Sequence, residues 1–392
     1  MTIRPLAMTS CWALALSLAG SAQSDLPIRI RASRLAANPI ISEKMLPGSD
    51  GDSINGPSLI RVPAWVQSPL GKYYLYFAHH AGKYIRLAYA DRLEGPWKIH
   101  PGGVLSTAGQ KLMAGHIASP DVVIDEADRQ IYLFFHGKPS AARPKGDKAK
   151  EEEEAGQRTS VAVSASGLHF QPLEVNIGPA YLRLFRHGGN WCALNGHGDL
   201  LCGASLRQPF QLVARIIGDD TKQRIDPVRL GEPGARAERP ASGPDRYAIR
   251  HVGVDIAGRD LLVYFSCVGH RPERIFCTRI ERKPDPAQWR AAGVQEVLRP
   301  EHAWEGVDLP LAYSQGGRSR AWENGLRDPA IFVAQRAPSA PPNGPETCGL
   351  ALRTAAPFCA CYSVESGRRW LLYSTAGEHG IGIAELHYEG LK

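Results

Sequence analysis

The chain has 392 residues, 43% of them hydrophobic, and a formal net charge of +7. Its Lys and Arg are scattered, without a basic stripe or a nucleic-acid motif. The charge therefore reads as solubility rather than as a polyanion site, and no nucleic-acid partner is expected.

The N-terminus reads as a leader. Arg4 precedes an apolar run, Cys11 to Leu18, and the small residues Ala19-Gly20-Ser21-Ala22 follow. That is the pattern of a signal peptide over residues 1–24, cleaved near Ala22 to Ser24. No other stretch is a candidate membrane span. The expectation is an exported protein, periplasmic or extracellular, in a compartment that permits disulfides. Cys192 and Cys202 flank a Gly-rich turn, Asn195 to Asp199, and Cys267 and Cys277 flank Gly269 to Arg274. Both pairs are disulfide candidates across hairpins. Cys348, Cys359 and Cys361 fall in a loop, and no Cys has zinc-site spacing, so no metal is assigned to them.

No long amphipathic helix pattern appears, and 40 Gly and 30 Pro punctuate short strands. Residues 25–55 form a lead-in with two acids, Asp50 and Asp52. Gly56-Pro57-Ser58-Leu59-Ile60 then opens a phrase of strand, turn and strand that recurs along the chain. Tyr73 to Ala78, alternating like a half-buried strand, and Tyr84 to Ala90 complete its first copy, closed by Glu94-Gly95-Pro96-Trp97. The second copy is His116-Ile117-Ala118-Ser119-Pro120-Asp121-Val122 with Ile131 to Phe135. Pro120 fits the first position of a strand, where a missing N–H breaks no ladder. The charged run Glu151 to Glu154 that interrupts this copy reads as a solvated loop. A weaker third copy is Gly178-Pro179-Ala180-Tyr181-Leu182 with Trp191 to Leu194. The fourth is Arg250-His251-Val252-Gly253-Val254-Asp255 with Leu261 to Ser266. The last is Arg327-Asp328-Pro329-Ala330-Ile331-Phe332 with Trp370 to Ser374, separated by an insertion at 335–365. Copies spaced by roughly 60–75 residues predict an all-β, five-bladed β-propeller. Its four-stranded antiparallel blades surround a central axis in one domain over 25–392, starting near 56, 118, 178, 250 and 327.

In such a ring the innermost strands line the axis, so polar residues at their starts converge. That set is Asn55, His116, Asp121, His251, Arg327 and Asp328. Carboxylates there could perform acid/base work on a sugar. Singly, each Asp or Asn could equally satisfy backbone N–H groups; as a set, convergence in one concavity points to a site. His116 and His251 could orient a sugar hydroxyl, and an ion at His251 is left open. No cofactor is expected, a structural calcium at the axis aside. Trp97, Trp191 and Trp370 lie in strands and read as packing between blades. Trp65, Trp304 and Trp322 lie in connections and could form a stacking wall for a sugar ring.

These phrases resemble the five-bladed propeller glycoside hydrolases, the family-43-like arabinanases and β-xylosidases and the related invertase and levansucrase enzymes. The likeness rests on Gly56 to Ile60, Tyr73 to Phe77, Glu94 to Trp97, Ser119 to Val122 and Arg327 to Phe332. It implies a sugar site in the axial funnel. In the arabinanase-like families an Asp before the first Pro acts as general base, whereas this chain has Asn55-Gly56-Pro57. Asp328 does precede a Pro, with Arg327 beside it as in the invertases. The family's general acid is a Glu of a later blade, for which Glu305 is the first candidate here and Glu323 the second. The reading is a hydrolase of oligo- or polysaccharide with Asp121 and Asp328 as axial carboxylates. Asn55, His116, His251, Arg327, Trp304 and Trp322 would contact the substrate, and the protein would be a monomer or small homo-oligomer. The alternative is a carbohydrate-binding propeller without catalysis.

Overall fold

Short apolar runs broken by Gly and Pro form strands rather than helices, and the strands group in fours. The computed structural model describes residues 26, 28–108, 110–140, 156–218, 249–319, 321–334 and 367–390. The expected leader, the run Glu151 to Glu154 and the insertion 335–365 with Cys348, Cys359 and Cys361 lie outside the described residues.

In chain order, β1 (Arg29–Arg34) and β2 (Ile41–Ser42) precede the first blade. Blade one is β3 (Asn55–Arg61), β4 (Tyr73–Ala78), β5 (Tyr84–Ala90) and β6 (Lys98–Ile99), with β7 (Leu105–Ser106) also on β5. Blade two is β8 (Met113–Asp125), β9 (Gln130–Pro139), β10 (Arg158–Ser164) and β11 (Gln171–Pro179). Blade three is β12 (Arg183–His187), β13 (Asn190–Leu194), β14 (Asp199–Gly203) and β15 (Gln211–Arg215). Blade four is β16 (Ile249–Ala257), β17 (Asp260–Cys267), β18 (Ile275–Glu281) and β19 (Ala291–Leu298). Blade five holds β20 (Arg327–Val333), β21 (Arg369–Thr375) and β22 (Gly380–Glu389). Its outer strand is β1, paired antiparallel with β22 from Arg29↔Glu389 to Arg34↔Ala384. The lead-in thus closes the ring of an all-β, five-bladed propeller. Gly178 and Pro179, read from sequence as opening blade three, instead belong to the outer strand of blade two.

Side-chain alternation decides which blade meets which. Tyr74 and Tyr76 of β4 pack with Ile131, Leu133 and Phe135 of blade two. The intervening Leu75 and Phe77 pack with Trp370 and Leu372 of blade five. Tyr74 to Ala78 are therefore all buried, where one solvated face was expected. β17 repeats the device: Leu261, Val263 and Phe265 face blade three, and Leu262 and Tyr264 face blade five. Each large apolar side chain so buried contributes about 1.5–3 kcal/mol. Arg183 ties three inner strands together, donating to the carbonyls of Pro120 (2.6 Å) and Val252 (3.1 Å).

The same register settles the cysteines. Cys192 and Cys202 are direct partners across β13 and β14 and form a disulfide. Cys267 and Cys277, the second candidate pair, do not bridge. Cys277 lies opposite Tyr264 and packs toward blade five, whereas Cys267 packs toward blade three.

Candidate active site at the axial mouth

Four of the inner strands start with a bulge. Pairing skips between Asn55 and Ser58, Ala118 and Asp121, Ile249 and Val252, and Arg327 and Ala330. The backbone is left-handed at Gly56 (φ 58°), Ser119 (43°), Tyr181 (63°) and Asp328 (55°). For the non-glycine residues this costs about 1–2 kcal/mol each, and bulges of this kind re-aim side chains. A Cβ at Gly56 would lie 2.7 Å from Ser119 Cα. The backbone of blade two stands where a side chain at Gly56 would begin.

From that edge a chain of contacts runs from blade two to blade five. The rings of His116 and His136 lie 6.2 Å apart, those of His136 and Tyr181 4.1 Å, and those of Tyr181 and His251 4.3 Å. His251 Nδ1 hydrogen-bonds Asp328 Oδ1, and Ser374 Oγ donates to Asp328 Oδ2 at 3.3 Å.

Antiparallel pairing puts the turn after each second strand at the same end as the start of the first. These turns add His79 and His80 from blade one, Glu273 from blade four, and Glu378 and His379 from blade five. Arg327 stands among carboxylates, 2.6 Å from Glu323, 3.3 Å from Glu273 and 3.5 Å from Glu378. Arg250 donates to both oxygens of Glu273, at 2.8 and 3.1 Å. Glu378 accepts from Ser53 Oγ at 2.9 Å and meets His80 Nδ1 at 3.2 Å.

Burial alone would raise the Asp328 carboxyl. The charge and hydrogen bond of His251, with the charges of Arg250 and Arg327, overcome it and hold the group well below the usual carboxylate range. Glu273 is likewise lowered on balance, burial being offset by Arg250 and Arg327. In Glu378 the His80 hydrogen bond and charge, helped by Arg327, do the same against burial. Burial drives the His136 imidazole well below its ordinary value, with the charges of His251, His116 and His80 adding to it. Burial and the Asp328 charge push the Tyr181 phenol up to about 12. Asn55 Oδ1 and His136 Nδ1 are buried without a partner among the described residues. Such orphaned atoms at a concavity are where a polar ligand or water would bond.

Of the sequence-predicted residues, Asn55, His116, His251, Arg327 and Asp328 meet at this mouth. Glu323 stands on its rim, its side chain 35% exposed, and accepts from Ser319 Oγ at 3.0 Å. Trp322 is 46% exposed, stacks on His379 at 5.9 Å and donates its indole N–H to Glu43 at 2.9 Å. Asp121 is instead a clamp between blades two and three. It accepts the Leu184 N–H at 2.8 Å and an Arg183 N–H at 3.3 Å, and burial raises its carboxyl. Glu305 is fully buried in the seam between blades four and five, bonded by Arg34 (2.8 Å), Tyr373 (2.9 Å) and the N–H groups of Glu301 and His302. Trp304 packs in that seam against His302 and Tyr373. Asp121, Glu305 and Trp304 thus make contacts between blades. Trp65 bonds Glu126 and packs between blades one and two.

Sequence reasoning missed His80, His136, Tyr181, Arg250, Glu273 and Glu378. A usable signal existed for the turn residues, because a hairpin returns the chain to the end from which its first strand started.

Among the described residues no three of His, Cys, Asp or Glu are placed to share a metal ion. Among the described residues, no helix is long and apolar enough to cross a membrane.

No protein-family model matches the sequence. The chain is 28% identical over 376 residues to an uncharacterised protein of Acanthamoeba polyphaga mimivirus, covering 90% of this chain and 89% of that one. Among solved structures it is similar to a family-43 β-xylosidase/α-arabinofuranosidase from a compost microbial metagenome, in complex with xylotriose. That match has 10% identity and a TM-score of 0.49, and covers 91% and 94% of the two chains. It is also similar to an N-acetylgalactosamine deacetylase from F. plautii in complex with blood group B trisaccharide, with 8% identity, a TM-score of 0.48 and the same coverage. These likenesses concern the course of the chain, and the chemistry of the mouth rests on its own residues.

Proposed function

We propose that the protein is a glycoside hydrolase-like propeller that binds a glycan at the axial mouth and cleaves a glycosidic bond there. One observation carries the reading. Glu323 is a solvent-reaching carboxylate gripped by Arg327, beside the ionised and buried Asp328, Glu273 and Glu378. Glu323 activates water or attacks the anomeric carbon. Asp328 holds His251 toward the substrate, and the buried negative charges stabilise the oxocarbenium-like transition state. Trp322 offers its exposed face to a sugar ring. The leader and the Cys192–Cys202 disulfide support an exported, extracytoplasmic protein.

A carbohydrate-binding propeller without catalysis is the second reading, favoured by the Asn55-Gly56-Pro57 phrase, which carries no carboxylate. Hydrolysis of a panel of aryl glycosides and plant or algal oligosaccharides separates the two. Turnover that collapses in Glu323→Gln and Asp328→Asn supports the hydrolase. Glycan-array binding without turnover on any member supports the lectin-like reading.

A further inference from the structure

A general acid must hold a proton and reach the leaving oxygen. Asp328, Glu273 and Glu378 have side chains at most 2% exposed, and their neighbours favour the ionised form. Glu323 reaches solvent, but Arg327 and Ser319 occupy its two oxygens. His80 differs from all of them, since its side chain is 29% exposed and its Nδ1 edge is turned to Glu378. Its backbone N–H donates to Ser53 Oγ at 3.1 Å, and the same hydroxyl donates to Glu378. That closed set of contacts fixes the ring, and Nε2 has no bond among the described residues. Arg250 and Arg327 face Glu273, Glu323, Glu378 and Asp328, so carboxylates outnumber guanidiniums by two. The ring nitrogens of His80 and His251 touch two of these carboxylates, Glu378 and Asp328.

We propose that His80 is the proton donor of the axial mouth, positioned by Glu378; this rests on the glycoside-hydrolase reading above. As the bond between the anomeric carbon and the leaving oxygen breaks, that oxygen takes the proton from Nε2. A water oxygen bonds the anomeric carbon and its proton passes to Glu323, which releases it to solvent as solvent returns a proton to His80. The net change is addition of one water. The other titratable groups around the ring are His79 beside it, Glu378 from blade five, and His116 and His136 from blade two.

The test compares two substrates of the same sugar, identified from the panel. An oligosaccharide has a poor leaving group that needs protonation; a 2,4-dinitrophenyl glycoside has one that does not. His80→Asn, which keeps a donor toward Glu378, is expected to lose roughly 10²–10⁴-fold on the oligosaccharide. On the dinitrophenyl glycoside it should lose less than about tenfold. Glu378→Gln weakens the contact that orients the His80 ring and should lower kcat on the oligosaccharide more than on the dinitrophenyl glycoside. Should His80→Asn not fold, as judged by circular dichroism, His80→Gln takes its place. Equal losses on both substrates, or undiminished oligosaccharide turnover, would overturn His80 as the donor while leaving the hydrolase standing. A wild-type protein inert on every glycoside would remove the hydrolase reading and this assignment with it.

Discussion

Glu305 and Glu378 are both buried glutamates that face an arginine and a hydroxyl, yet only Glu378 lies at the candidate site. Glu305 spends its oxygens on Arg34, Tyr373 and two backbone N–H groups. Arg34 is itself used up by Glu301 and the Arg299 carbonyl, each at 2.6 Å. Glu378 is bonded by Ser53 and His80 and lies near Arg327, and beyond these partners stand the exposed edges of His80 and Glu323. Burial of the carboxylate does not separate a structural clamp from a site. What separates them is whether its partners keep accessible atoms for something else.

That contrast can be tested by substitution, taking the largest expected effect first. Glu323→Gln should lower turnover by roughly 10²–10⁴-fold while the melting temperature moves little, because the buried Arg327 keeps Glu273 and Glu378 as partners. Glu305→Gln should invert this, costing about 1–3 kcal/mol in urea unfolding because its amide NH2 replaces one of the two buried oxygens that accept from Arg34, Tyr373 and two backbone N–H groups, with kcat of the folded fraction unchanged. A loss of kcat there would erase the distinction between seam and mouth.

Acid should act on the mouth next. Asp328, Glu273 and Glu378 are lowered in the folded state, so below about pH 4 the unfolded chain takes up protons first. The stability they supply is present above that pH and lost as pH falls through the folded values. Asp328→Asn should flatten the loss by about 1 kcal/mol in unfolding measured between neutral pH and pH 3.

Asp121→Asn should cost about 1 kcal/mol, since Asn keeps an acceptor for the Leu184 N–H and burial already disfavours the Asp121 charge. Its turnover should match wild type, and a collapse would return Asp121 to the chemistry. Trp322→Ala should be the mildest, raising KM about fivefold, near 1 kcal/mol of stacking, with unfolding unchanged. An unaltered KM would take Trp322 out of the binding surface.

The propeller was legible because its signals are local. The five phrases, the Pro at strand starts and the turns all lie within a few residues of one another, and side-chain alternation follows from backbone geometry. Even there only half the alternation could be read, since nothing in Tyr73 to Ala78 says that both faces would meet apolar neighbours. Asp328, Arg327 and His251 could be placed at the mouth because strand starts line an axis. Glu378 and Glu273 could not, since they sit in hairpin turns that look like any solvated turn.

The sequence by itself determined a ring of five strand groups with polar residues gathered where inner strands begin. Tertiary structure alone decided which carboxylates meet which cations. Glu305 and Arg34 are 271 residues apart in the chain, and His80 and Glu378 are 298 apart. Contacts at such separations depend on how the blades close on one another, and no period in the sequence records that.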